Sequence, residues 1–85
     1  MENNEKKLVA LVVEFDERIR NARRYIKEHY GIESHFDKDS GILNLHAIKE
    51  DNKTNILAAQ KYVNEMMDGS ITFNPPLPES ENPYW

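Results

Sequence analysis

The first thirty residues contain neither glycine nor proline, and within them Leu8, Leu11, Val12, Phe15, Ile19, Ala22 and Ile26 recur at three- and four-residue steps. That spacing lays one continuous apolar stripe along an α-helix and predicts a helix over roughly Asn4 to Tyr30. Asn3 or Asn4 can cap its start, and Gly31 stands where a left-handed C-terminal cap is usual. The run Leu8 to Val13 is apolar all round, so a buried strand, with Asp16 capping a shorter helix, is the competing reading. The stripe stays in phase through Phe15 and Asp16, which favours the single helix.

Behind Gly31 the period changes from 3.6 to 2. Ile32, Ser34 and Phe36 fall on one face of an extended segment and Glu33, His35 and Asp37 on the other. Lys38-Asp39-Ser40-Gly41 supplies turn chemistry. Ile42 to Ile48 returns as the second strand, with Leu43, Leu45 and Ala47 facing the core and Asn44 and His46 facing out. A second helix is expected from roughly Asn52 to Asp68, capped by Asp51 or Asn52, with Ile56, Ala59, Val63 and Met66 or Met67 as its stripe. Gly69 ends it. Ile71-Thr72-Phe73 can form a short extra strand before the prolines stop pairing. The expected fold class is α+β: a long N-terminal helix, a two-stranded antiparallel hairpin and a second helix, over residues 1–73. An extended Pro-rich tail carrying acidic and aromatic residues occupies 74–85. Its Pro75-Pro76-Leu77-Pro78 fits polyproline ligands of WW- or SH3-type domains; packing by Tyr84 and Trp85 into an ordered tail is the preferred reading.

An 85-residue chain without cysteine has neither a disulfide framework nor a thiolate metal site, and must rely on a small apolar core. The charged start and the six-residue apolar run behind it suit neither a secretory signal nor a membrane span of about 20 residues, so the expected location is cytoplasmic. Asn52-Lys53-Thr54 matches the glycosylation sequon, which has no consequence without secretion.

Length also bears on assembly. A helix of about 27 residues is roughly 40 Å long, whereas a compact domain of this size is about 30 Å across. The overhanging end would be the most apolar one. A homodimer through Leu8, Leu11, Val12, Phe15 and Ile19 is therefore expected, the alternative cover being Phe73, Leu77, Tyr84 and Trp85 of the tail.

The net charge of −4 is uneven: residues 1–31 carry seven Lys/Arg against six Asp/Glu, and residues 32–85 carry four against nine. An acidic chain is a poor prior for gripping phosphate backbones and a fair one for meeting a basic partner. The acidic candidates are Glu33, Asp37 and Asp39 on the hairpin and Glu50 and Asp51 leading into the second helix, able to imitate the charge spacing of a nucleic-acid backbone. The basic candidates are Arg18, Arg20, Arg23, Arg24 and Lys27; cations near a helix C-terminus also complement its dipole.

Catalytic and cofactor chemistry finds little support. Ser34, Ser40, Ser70 and Ser80 lack a nucleophile-elbow pattern. The carboxylate pairs Glu14/Glu17 and Asp37/Asp39 sit among other charges, and no Gly-rich phosphate loop exists. His35 and His46 share the outward hairpin face with Glu33 and Asp37, yet two imidazoles on adjacent strands are more often solvated than zinc-bound. Asp37-Lys38-Asp39-Ser40-Gly41 opens like a calcium loop, but its glycine comes one position early and Ile48 stands where the closing Glu belongs.

From Ile26 to Met66 the chain resembles the second half of a KH domain. The matching parts are Ile26-Lys27-Glu28-His29-Tyr30-Gly31-Ile32, then Gly41-Ile42-Leu43-Asn44-Leu45, then Ala58-Ala59-Gln60-Lys61-Tyr62-Val63. The resemblance implies a nucleic-acid-binding module. It departs from the family where the backbone-clamping GXXG loop belongs, since residues 8–22 contain no glycine, so no binding residue carries over. The sequence thus leads to a non-enzymatic regulator or inhibitor, without cofactor or metal, dimeric and binding a basic protein partner through its acidic side. The alternatives are a KH-like module working through the basic cluster, and an accessory subunit of a larger complex.

Overall fold

The computed structural model describes residues 2–84, with side chains described from Glu14 to Tyr84. Helix α1 spans Glu2–Tyr30, followed by strands β1 (Ile32–Asp37) and β2 (Ile42–Ala47), helix α2 (Asn55–Met66) and strand β3 (Thr72–Asn74), with short 3₁₀ turns at Glu50–Asn52 and Glu79–Glu81. Residues 8–13 are thus helical.

Gly31 ends α1 at φ +66°, where its N–H donates to the Lys27 carbonyl at 3.2 Å. Its missing side chain makes room for the Asn52 amide, which a Cβ there would strike. Asn55 Nδ2 donates to the Tyr30 carbonyl at 3.1 Å, satisfying one of the acceptors that a helix end leaves free.

β1 and β2 pair antiparallel, with Glu33 opposite His46, His35 opposite Asn44 and Phe36 opposite Leu43. The sheet has three strands, in the order β1-β2-β3. β3 lies parallel to β2, with Leu43 opposite Phe73, and α2 makes the crossover that a parallel pair requires. The expected two-stranded sheet is corrected in this respect. Parallel pairing is set by contacts thirty residues apart, which local pattern does not report.

Both helices cover one face of the sheet. The core joins Ile19, Ala22 and Ile26 of α1, Ile32 of β1, Leu43 and Leu45 of β2, Ala59 and Val63 of α2, and Met67, Ile71 and Phe73 beyond it. Of the two candidate methionines, Met67 is the buried one and Met66 is exposed. Glu33, His35, His46, Thr72 and Asn74 are exposed on the other face, as alternation requires.

Helix α2 starts three residues later than predicted and without a side-chain cap. Glu50–Asn52 form the 3₁₀ turn, and Asn52 packs against Gly31 instead of capping. The tail is not extended. It runs back along α2, with Gln60 Nε2 donating to the Pro75 carbonyl, the Lys61 ammonium 3.1 Å from Glu81, and Asn64 Nδ2 donating to the buried Asn82 Oδ1 at 3.0 Å. Two amide side chains on an otherwise apolar helix face, Gln60 and Asn64, hold it there with the help of Lys61.

Candidate functional site

Arg20, Arg23, Arg24 and Lys27 stand at i, i+3, i+4 and i+7, the spacing that stacks side chains along one face of a helix. This face looks past the free edge of β1, an outer strand of the sheet. Arg23 fixes the arrangement: its Nε donates to Ser34 Oγ at 3.1 Å and its guanidinium NH2 to the Ser34 carbonyl at 2.7 Å. The Arg24 guanidinium donates to Asn21 Oδ1 at 2.6 Å. Between helix and strand edge runs a groove of about 480 Å³, lined by these four cations with Glu33, Ser34 and His46. It continues toward the hairpin tip as a depression of about 140 Å³ bounded by Asp16, Arg20, Arg23, Phe36 and Lys38.

Four cations and one carboxylate in the groove leave three net positive charges with His46 neutral. Among the described residues, Arg20, Arg23 and Arg24 form no ion pair. Glu33 is the exception to the groove's sign. Its Oε2 lies 3.2 Å from His46 Nε2 and its Oε1 3.9 Å from Lys27 Nζ. Arg18 is turned away from the other four cations and sits 3.5 Å from Asp68 instead.

The acidic candidates are dispersed. Glu33 stands in the cationic groove. Asp37 and Asp39 lie at the hairpin tip, where the Asp39 N–H donates to Asp37 Oδ1 at 3.0 Å. That bond, with the Ser40 hydroxyl, holds the Asp37 carboxyl below its usual range. Glu50 and Asp51 sit beyond the opposite end of β2, with Glu50 2.7 Å from Lys53. Six strand residues of about 3.3 Å rise each separate the two groups by roughly 20 Å.

Of the residues expected at a dimer interface, Leu8, Leu11 and Val12 lie outside the described side chains. Ile19 is buried within the chain's own core, and Phe15 packs on Phe36 with ring centroids 5.8 Å apart. Both apolar groups are occupied internally.

On the opposite flank of α1, Tyr25 is stacked between Tyr62 and His29, each at a centroid distance of 4.0 Å. Burial, then Tyr25 and Tyr30, push the Tyr62 hydroxyl up from its usual value. Sequence reading missed this stack, although the i, i+4 pair Tyr25/His29 signals it. It also missed Ser34 and His46 as walls of the groove, for which no local signal exists. Among the described residues no group of three or more His, Asp or Glu is placed to hold a metal ion, and no helix is long and apolar enough to cross a membrane. Compared with family models, curated proteins and solved structures, the chain finds no significant match.

Proposed function

We propose that this chain is a non-enzymatic binding module that takes single-stranded nucleic acid along the groove between α1 and β1, with phosphates on Arg20, Arg23, Arg24 and Lys27. The observation that carries this reading is the in-phase arginine stripe facing a groove, three of its members free of carboxylates among the described residues. A helix-terminal cluster serving only the dipole or surface solubility needs no groove and no common face. Guanidinium forks suit phosphate oxygens. The KH-like pattern over residues 26–66 supports the same ligand class. A duplex is disfavoured because β1 flanks the stripe and keeps α1 from entering a major groove. The acidic-face reading needs Glu33, Asp37, Asp39, Glu50 and Asp51 on one surface, and their separation weakens it.

The test is fluorescence anisotropy with labelled ten-nucleotide RNA and DNA strands across a salt series. Four phosphate contacts give a slope of log K against log salt of about −2.8, hence roughly a fifty-fold loss between 50 and 200 mM salt. The double variant Arg20→Gln/Arg24→Gln should halve that slope. Reversing Asp37 and Asp39 to lysine should leave the slope near its original value. A salt-insensitive interaction, or one untouched by the arginine changes, refutes the reading.

A homodimer through Leu8, Leu11 and Val12 is a separate proposal. It is favoured by a chain measuring 52 × 26 × 20 Å with a radius of gyration of 14.1 Å, against about 12 Å for a compact chain of this length. A monomeric mass by light scattering at micromolar concentration would remove it.

A further inference from the structure

The carboxylate of Glu33 stands inside an otherwise cationic groove, where it lowers affinity for any bare anion. A structural role accounts for little of this. Its partners Lys27 and His46 are 62% and 66% exposed and it is itself 48% exposed, and ion pairs so open to water contribute next to nothing. The pairing is also loose on one side, with Oε1 3.9 Å from the ammonium.

Resting on the nucleic-acid reading above, we infer that Glu33 reads the base of a nucleotide whose phosphate lies on the arginine stripe, and that the base preferred is guanine. The groove has room for a nucleotide, and its two walls have opposite chemistry: the helix wall offers only donors, and the strand wall offers one side chain with two anionic acceptors. A carboxylate accepts and cannot donate. Guanine presents two adjacent donors on its Watson–Crick edge, the ring N1–H and the exocyclic N2–H₂, which match the two oxygens. Adenine and cytosine each present one donor beside a ring-nitrogen acceptor, and uracil one donor between two acceptors, all of which a carboxylate repels in part. Phosphate contacts position a strand and base contacts specify it, and in single strands the Watson–Crick edge is free to be read. Lys27, displaced from Glu33, joins the phosphate wall. His46 keeps its place on Oε2 at 3.2 Å and orients the carboxylate.

Labelled ten-nucleotide strands of uridine carrying one central guanosine, adenosine or cytidine, with the all-uridine strand, distinguish the cases. The guanosine strand should bind roughly tenfold or more tightly than the others, as one good bidentate base contact allows. Glu33→Gln, its fold checked by circular dichroism, should abolish that preference while holding or raising affinity for the all-uridine strand, since it removes a negative charge. Binding without base preference, or a preference that survives Glu33→Gln, overturns this inference and leaves the parent reading standing. Failure of every strand to bind, or equal binding of a poly-glutamate peptide, sinks the parent reading and this one with it.

Discussion

Asn82 is the residue on which the returning tail depends. It is 8% exposed and faces Asn64, which is 1% exposed. One oxygen, Asn82 Oδ1, accepts both from Asn64 Nδ2 at 3.0 Å and from the Tyr84 N–H at 3.1 Å. The other end of the Asn64 amide, Oδ1, is buried with no partner among the described residues. Asn82→Ala therefore leaves a fully buried amide satisfied at neither end. An orphaned buried donor costs about 1–3 kcal/mol, and the part-buried Tyr84 N–H adds a few tenths more, so about 1.5–3.5 kcal/mol is expected. At about 2.1 cal/mol/K of unfolding entropy per residue, an 85-residue chain should lose roughly 8–20 °C in Tm. Asn64→Leu, with the same branched shape and number of side-chain heavy atoms but a somewhat larger volume, removes the unsatisfied oxygen together with the donor and leaves Asn82 holding Tyr84, so it should cost less. Thermal melts followed by circular dichroism decide the matter. A loss below about 4 °C for Asn82→Ala, or Asn64→Leu proving equally damaging, would refute the claim that the shared amide oxygen is what counts.

Gly69 and Gly41 share nearly the same backbone conformation, φ +72° and +71°, but a Cβ at Gly69 would meet Tyr84 Cβ at 2.6 Å and one at Gly41 would meet nothing within 4 Å. Gly41→Ala should therefore cost about 1–2 kcal/mol from conformation alone, and Gly69→Ala measurably more, read as the difference between their urea midpoints. The depressed Asp37 carboxyl contributes stability that is present above the unfolded carboxylate range, about 3.9, and is lost as pH falls through its lower folded value. Asp37→Asn should flatten that acid limb in melts between pH 5 and 2; an unchanged limb would count against the turn bond. Tyr62 works at the other end: its raised value contributes stability present below about pH 10 and lost above it. Tyr62→Phe should reduce the alkaline loss seen in melts from pH 9 to 11.5.

Much of the fold was legible because it is local. A stripe in phase from Leu8 to Ile26, ended by Gly31, specified α1, and alternation from Ile32 to Phe36 and from Leu43 to Ala47 assigned each residue to its face of the hairpin. What escaped was non-local. Parallel pairing of Phe73 with Leu43 depends on how α2 returns the chain, and the docking of Asn82 on Asn64 depends on two amides meeting across 18 residues. The site divides in the same way. Arg20, Arg23, Arg24 and Lys27 could be grouped by period, and the same period should have set Arg18 aside, since at 100° per residue it points elsewhere. That Glu33, Ser34 and His46 form the opposite wall follows only from the approach of helix to strand.

The parallel position of β3 also ranks the parts of the molecule by how they come apart. Asp37 meets Ile42 across a five-residue span, whereas Thr72 meets Ile42 only after a thirty-residue excursion. Closing the longer loop costs more chain entropy and gains only three residues of pairing. β3 and the segment behind it should thus form the last cooperative unit to assemble and the first to open. Hydrogen exchange should find the amides of Thr72 and Asn74, which face β2, far less protected than those of Asn44 and His46, which face β1. The hairpin and the arginine wall beside it would persist through that opening, so a fluctuation that frees β3 and the tail leaves the cationic groove intact.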